Sequence, residues 1–196
     1  ASGTFADANA GSGKSVTAVY SLADGSNGGL AANYTLANQT LSGTITRKAL
    51  SISGSSVTSK TYDAATSASI VAGTLSGLVG SETLGVTGAG SFADANAGAG
   101  KSVAVTYTLA NGTNGGLATN YSLASQTLTG TITAKALSIS GSSVSARDYN
   151  GTTSANVTAG TLSGLVGTET LGVSVSGAFA DANAGAGKAV TATYTL

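Results

Sequence analysis

The 196 residues carry eight basic and eight acidic side chains, so the net charge is zero and only 8% of the chain is charged. Such a chain lacks the basic surface that nucleic acids and anionic membranes require, and neither partner is expected. Histidine and cysteine are both absent, which removes the usual general base, the thiolate nucleophile and the disulfide. We therefore expect no enzyme, no catalytic residue, no metal site and no cofactor.

Strands are predicted along the whole chain, because no segment carries a sustained helical period. Apolar residues alternate in 49–53, 101–109 and 127–133, where Val103, Val105, Tyr107 and Leu109 share one face and Leu128 and Ile132 another. Further short strands are predicted at 56–61, 68–76, 82–87 and 90–93. Turns are predicted at four Asn-Gly pairs, at 27–28, 111–112, 114–115 and 150–151, and at 96–100. Short strands at this spacing favour an all-β sandwich.

The sequence repeats with a period of 87 residues and no insertion or deletion. All ten aromatic residues occupy recurring positions: Phe5, Phe92 and Phe179; Tyr20, Tyr107 and Tyr194; Tyr34 and Tyr121; Tyr62 and Tyr149. A fixed period is typical of arrays of one folded unit. We assign 1–47 as the C-terminal half of a repeat, 48–134 as a complete repeat, and 135–196 as a repeat lacking its last strands. These are the first, second and third copies below.

The repeat boundaries can also be placed in another phase, with repeats at 23–109 and 110–196. Residues 1–22 would then be a spare strand pair that could complete another chain's repeat by strand addition. In either phase the chain begins inside a repeat, so we expect it to be a segment of a longer protein.

The joint between the first two copies predicts a stiff rod. Residues 44–52 pass from the last strand of one copy into the first strand of the next, without glycine, proline or linker composition. Uninterrupted strand is expected there.

Several motifs resemble the YDG repeat. Lys60-Thr-Tyr-Asp63 and Arg147-Asp-Tyr-Asn-Gly-Thr-Thr153 resemble its Lys-x-Tyr-Asp-Gly-Thr-Thr signature, although Ala64 replaces the glycine and Asn150 the aspartate. Three further elements are similar to that family: the run from Phe92 to Val103, Asn120-Tyr-Ser-Leu123 and Thr131-Ile-Thr133. The resemblance implies Ig-like β-sandwich repeats in a stalk or fibre of a large exported bacterial adhesin of the filamentous-haemagglutinin kind, located outside the cell or on its surface.

The expected function is a structural segment of such an adhesin or fibre, as a stiff stalk or a self-assembling filament. Its partners would be neighbouring repeats of the same chain and identical chains in a filament. The alternative is a module that binds a surface glycan or ice through the threonine-rich strands at 40–46 and 127–133.

Five motifs that suggest other chemistry are interpreted as structural or left open. Residues 98–102 suggest a phosphate-binding loop but lack the required first glycine, and Asp94 with Asn96 suggests a calcium loop; both are predicted to be turns. Lys101, Asn96 and Glu82 would suit an isopeptide bond only if the fold brings them together. Residues 70–86 contain no long apolar run, so no membrane insertion is expected. Glycosylation is open at Asn33, Asn38, Asn111, Asn120, Asn150 and Asn156.

Overall fold

The computed structural model describes residues 1–196 and contains nineteen strands, two single-turn 3-10 helices and no α-helix. The all-β prediction is confirmed. The two helical turns, at Ala31–Asn33 and Ala118–Asn120, occupy equivalent positions of the first and second copies. Neither of them has the length or the apolar character to cross a membrane.

The first two copies contain twelve strands. Those of the first copy are β1 Ser2–Phe5, β2 Gly11–Val19 and β3 Gln39–Ile45. Those of the second copy are β4 Lys48–Ser53, β5 Ser56–Val57, β6 Lys60–Thr61, β7 Ser67–Val71, β8 Thr74–Ser76, β9 Leu84–Phe92, β10 Gly98–Asn111, β11 Tyr121–Leu123 and β12 Gln126–Thr133.

The third copy contains seven shorter strands. They are β13 Ser138–Ser140, β14 Ser143–Val144, β15 Ser154–Ala155, β16 Val157–Thr158, β17 Thr161–Ser163, β18 Ser174–Phe179 and β19 Val190–Thr195. Because β15 and β16 lie 87 residues after the two ends of β7, the same segment forms one strand in the second copy and two in the third.

The chain forms two compact units whose segments alternate along the sequence. The first comprises Ala1–Thr58, Ser67–Ala93 and Gly100–Gly130; the second comprises Ser59–Thr66, Asp94–Ala99 and Thr131–Leu196. The predicted boundaries at 47/48 and 134/135 describe the sequence period and stay predictions as domain boundaries.

The first unit holds three sheets and most of the buried side chains. Their strand orders are β1-β2-β3, β5-β7-β9-β10-β12 and β11-β4-β8. The buried apolar residues of this unit are Ala18 of β2, Leu50 and Ile52 of β4, Phe92 of β9, Val103 and Val105 of β10, and Tyr121 of β11. The predicted inward face of 101–109 is therefore confirmed at Val103 and Val105.

Strand β9 corrects the expectation of a break between 87 and 90. It runs without interruption from Leu84 to Phe92. Gly88 and Gly90 do not form a turn; they leave space for the side chain of Ile70 in β7. A Cβ on Gly88 would lie 2.6 Å from Cγ2 of Ile70, and a Cβ on Gly90 would lie 2.5 Å from its Cδ1. Glycine inside a strand often marks such a close approach.

The second unit contains smaller sheets. Strands β13 and β17 pair, as do β14 and β16, and β15-β18-β19 form a third sheet. Strand β6 pairs in parallel with the end of β12, with Lys60 opposite Ile132 and Thr61 opposite Thr133.

Three predicted strands are interrupted in the structure. Residues 68–76 divide into β7, which pairs with β9, and β8, which pairs with β4. Residues 56–61 divide into β5 and β6. At the predicted joint β3 ends at Ile45 and β4 begins at Lys48, so the expectation of uninterrupted strand over 44–52 is wrong. Two residues still make a short connection.

Candidate functional site

The Lys-x-Tyr-Asp motif of the second copy forms a tight turn. Oδ1 of Asp63 accepts the Ala65 N–H at 3.0 Å, and Nζ of Lys60 lies 2.7 Å from the same carboxylate. Lys60 also donates to the Ala65 carbonyl at 2.8 Å. The hydrogen bond from Lys60 lowers the pKa of the Asp63 carboxyl. Ala64, between the two bonded residues, has a φ of 61°, in the left-handed region that suits glycine.

The third copy builds the same turn with different residues. Oδ1 of Asn150 accepts the Thr152 N–H at 3.1 Å, and Gly151 has a φ of 73°. Arg147, in place of the lysine, donates to the Thr152 carbonyl. The motif therefore requires an acceptor oxygen followed by a left-handed residue, which is the chemistry of an Asx turn.

The tyrosine of this motif contacts the following copy. Tyr62 directly follows β6, and its N–H donates to the Thr133 carbonyl at 2.9 Å. Its phenol O–H donates to the carboxylate of Glu169, which belongs to the third copy. That hydrogen bond raises the pKa of Tyr62. A signature residue of the repeat thus links two copies within the second unit.

The equivalent glutamate of the second copy accepts a different tyrosine. Tyr121 is only 3% exposed, lies in β11 opposite Lys48 of β4, and donates its O–H to Glu82. Its oxygen also accepts the Val79 N–H at 3.1 Å. The hydrogen bond to Glu82 raises the pKa of Tyr121. The single glutamates of the second and third copies, Glu82 and Glu169, therefore both accept a hydrogen bond from a tyrosine.

Asn120, beside Tyr121, connects the first and second copies inside the first unit. Its Nδ2 donates to Oδ1 of Asn9 at 3.0 Å, and its Oδ1 accepts the Ala10 N–H at 2.8 Å. Asn9 and Ala10 belong to the hairpin between β1 and β2. Side-chain hydrogen bonds therefore join neighbouring copies at two places.

A groove of about 240 Å³ lies in the second unit, next to Glu169. We call it the junction groove. It is lined by Tyr62, Asn96, Ala97, Ala134, Lys135, Leu137, Gly164, Leu165, Val166, Glu169 and Leu171. Five of these lie 87 residues after the residues that meet Asn120 and Tyr121 in the second copy: Asn96, Ala97, Lys135, Val166 and Glu169. The groove therefore repeats the surroundings of Tyr121.

The turn predicted at 96–100 is confirmed at 96–97, between β9 and β10, whereas 98–100 already belong to β10. Asp94 accepts the Asn96 N–H at 2.8 Å, the same bond as in the other two copies, and Gly100 has a φ of 64°. Gly98 to Ser102 lie in β10, so the phosphate-loop resemblance has no helix to support it. No group of three or more acidic, histidine or cysteine side chains is placed to hold a metal.

Residues equivalent to those suggested for an isopeptide bond have other partners in the first and third copies. Lys14 donates to Asp7 and Lys188 to Asp181, each across its own hairpin. The glutamates instead accept Tyr121 and Tyr62. The hydrogen bonds from Lys14 and Lys188 lower the pKa values of Asp7 and Asp181.

Sequence reasoning missed the tyrosine–glutamate contacts. The available signal was the recurrence of one glutamate and two tyrosines at fixed positions, but period alone does not pair them. The sequence did predict the outward threonines, since Thr127, Thr129 and Thr133 are exposed on β12.

The family model of the YDG domain matches residues 46–128 and again 133–196. No curated protein and no solved structure matches the chain. Because the two matched segments cover most of the 196 residues, this chain belongs to the YDG domain family.

Proposed function

We propose that this chain is a structural segment of an extracellular bacterial adhesin or fibre, in which tandem Ig-like repeats form a stiff stalk or filament. The observation that carries the proposal is the hydrogen bond between Tyr62 of one copy and Glu169 of the next. Asn120 supplies a second such link, to the hairpin of the preceding copy. Both use residues at recurring positions, so every added copy can form them again.

Short connections support a mechanical role. Two residues separate β3 from β4, and four separate β12 from β13. Connections of this length have none of the reach of a flexible linker, so bending between copies would break side-chain hydrogen bonds. Repeat proteins gain stability from such contacts between neighbours.

The proposed location and partners follow from the same role. The resemblance to repeats of exported adhesins supports a place on the bacterial surface, and the absence of cysteine suits export. The partners are neighbouring copies in the same chain, with identical chains in a filament. The polar chemistry of the repeats is used in turns and junctions, which supports a role without catalysis.

A short glycine insertion between Thr46 and Arg47 tests this role. It lengthens the connection without interrupting β3 or β4, so we expect each compact unit to stay folded while the chain becomes less straight in electron micrographs. The matched control is the same insertion in the exposed turn at Ser26–Gly29. Equal length and straightness of the two variants would contradict the stalk proposal.

The exposed threonines of β12 favour a second candidate, a module that binds glycan or ice. A ligand that binds only the folded state raises its melting temperature. A shift with added polysaccharide that is lost in Thr127→Val together with Thr129→Val would support this candidate. An unchanged melting temperature would count against it.

A further inference from the structure

Asn-Gly pairs are sites at which a protein chain can modify itself without an enzyme. The backbone nitrogen of the glycine attacks Cγ of the asparagine, and glycine has no side chain to hinder that approach. Ammonia leaves, a succinimide ring forms, and water opens the ring to an acid. The chain has four such pairs, which begin at Asn27, Asn111, Asn114 and Asn150. Their different surroundings in the fold decide which of them can react.

Three of the pairs are held in geometries that oppose the attack. Asn27 and Asn114 have left-handed φ values of 55° and 54°, and each lies inside a turn closed by a backbone hydrogen bond, of 3.2 Å and 3.1 Å respectively. The succinimide ring needs a different torsion about the Cα–C bond of the asparagine, so these turns must open first. The nitrogen that would attack Asn111 belongs to Gly112, and its N–H already donates to the Gly116 carbonyl at 3.0 Å.

The pair at Asn150 has neither restraint. Its asparagine is exposed and does not have a positive φ, and the N–H of Gly151 makes no hydrogen bond. The space around the glycine is open, because a Cβ built on it would meet nothing nearer than 4.0 Å. Asp63, the equivalent residue in a copy that another copy follows, has a side chain that is 54% exposed. A following copy therefore leaves this turn open to water.

The neighbouring threonine activates the carboxamide of Asn150. Oδ1 of Asn150 accepts the Thr152 N–H at 3.1 Å and the Thr152 hydroxyl at 2.9 Å. Attack on Cγ moves negative charge onto this oxygen, and donors that are already in place stabilise the charge. The same two bonds hold the carboxamide against the peptide of Gly151, so little further ordering is needed. The guanidinium of Arg147, which donates to the Thr152 carbonyl and lies 5.5 Å from the centre of the Phe179 ring, adds a nearby positive charge.

We propose that Asn150 is a self-modification site, at which the fold directs conversion of the asparagine to aspartate. The bond between the Gly151 nitrogen and Cγ forms as the Cγ–Nδ2 bond breaks, and the amide proton of Gly151 leaves with the ammonia. Water then adds at Cγ, the new bond to nitrogen breaks, and Gly151 regains its proton. The net reaction consumes one water and releases one ammonia, and nothing is oxidised or reduced.

The product is the residue that the Tyr-Asp-Gly signature has at this position. An aspartate at position 150 keeps the acceptor oxygen for Thr152 and places a carboxylate near Arg147, as Asp63 lies 2.7 Å from Lys60 in the second copy. Opening of the ring at its other carbonyl would give isoaspartate, which adds a methylene to the main chain and disrupts the turn. The fold therefore favours aspartate, and the modification completes the triplet after synthesis. This inference goes beyond the proposed stalk, which does not depend on the charge of this residue.

Peptide mapping by mass spectrometry tests the inference on the 196-residue chain, after incubation at neutral and at mildly alkaline pH. We expect tryptic peptide 148–188 to exchange ammonia for water at Asn150, as located by fragmentation, before any of the other three pairs changes. The reaction should be faster at the higher pH, because the attacking amide must lose its proton. Asn150→Asp supplies the chromatographic standard for the product. In denaturing urea the four pairs should react alike and give more isoaspartate, because the fold no longer distinguishes them.

A pair of valine variants tests the role of the threonine. Thr152→Val removes the hydroxyl donor at nearly constant size and should slow the reaction roughly tenfold, which corresponds to about 1.4 kcal/mol and thus to one hydrogen bond. Thr153→Val is the control, since this exposed neighbour makes no bond to Asn150, and it should react as the parent chain does. Circular dichroism establishes that both variants are folded.

Three results would overturn the inference: an Asn150 amide that outlasts that of any other Asn-Gly pair, a Thr152→Val variant that reacts as fast as the parent, or isoaspartate as the main product of the folded chain. Any of them would leave the stalk proposal standing, because the glycine insertion tests that proposal separately.

Discussion

Ala64 is the residue at which this repeat departs from the glycine of its signature, and replacing it should stabilise the protein. With a φ of 61° it lies in the left-handed region. A residue with a Cβ loses roughly 1–2 kcal/mol there. Glycine at the same position loses roughly 0.5–1 kcal/mol through the greater entropy of its unfolded chain. The difference predicts that Ala64→Gly stabilises the second unit by about 1 kcal/mol.

The third copy supplies the matched reverse change. Gly151 is equivalent to Ala64 and has a φ of 73°. A Cβ built on it would meet nothing nearer than the Tyr149 hydroxyl, at 4.0 Å, so Gly151→Ala adds backbone strain without a clash. We expect it to destabilise by about 1 kcal/mol.

Urea unfolding measures both variants, since both residues belong to the second compact unit. With a slope of about 2 kcal/mol per molar urea, the midpoint should rise by about 0.5 M for Ala64→Gly and fall by about 0.5 M for Gly151→Ala, at constant slope. The reasoning would be refuted if both midpoints moved in the same direction, or if the glycine variant were the less stable.

Urea unfolding checks three further predictions. Gly90→Ala should cost about 1–3 kcal/mol by overpacking against Ile70, and Ile70→Val should recover part of that loss in a double-mutant cycle; additive effects would contradict the close approach. Ile132→Ala should cost about 2–5 kcal/mol because the side chain is buried; a loss near zero would mean that it packs against little. The pKa of Tyr121 is raised in the folded state, so the stability that its hydrogen bond to Glu82 contributes is complete below the unfolded pKa near 10 and is lost as pH rises through the folded pKa. Glu82→Gln should reduce this loss of stability at alkaline pH. A variant whose stability depends on pH as the parent's does would contradict the prediction.

The all-β class and the principal strands were predictable because their signals are local. Alternation at 101–109 places Val103 and Val105 inward, and positive φ at Asn27 and Asn114 matches the Asn-Gly turn signal. The alternation of side chains along a strand and the residue preferences of turns depend on neighbours in sequence, so both can be predicted without knowing the fold.

The strand interruptions and the junction were not predictable in the same way. Separate strands were predicted at 82–87 and 90–93, yet β9 is continuous, and its Gly88 and Gly90 are required by the close approach of Ile70, about twenty residues earlier. The bond between Tyr62 and Glu169 spans 107 residues, and no local pattern pairs them. Such contacts depend on which strands become neighbours, which periodicity does not specify.

Two residues of the signature triplet form a turn, and the tyrosine forms a contact between copies. The turn positions vary between the second and third copies, whereas the tyrosine does not. Asn150 replaces an aspartate and keeps the acceptor oxygen of the turn, losing only an exposed ion pair, which contributes little to stability. Ala64 replaces the glycine and keeps the turn with backbone strain. The tyrosine is kept in both copies, and no other side chain of its size places a hydroxyl where Tyr62 meets Glu169. A turn tolerates substitutes because several residues can form it, whereas the junction depends on one phenol, so the tyrosine is the part of the motif that the proposed array needs most.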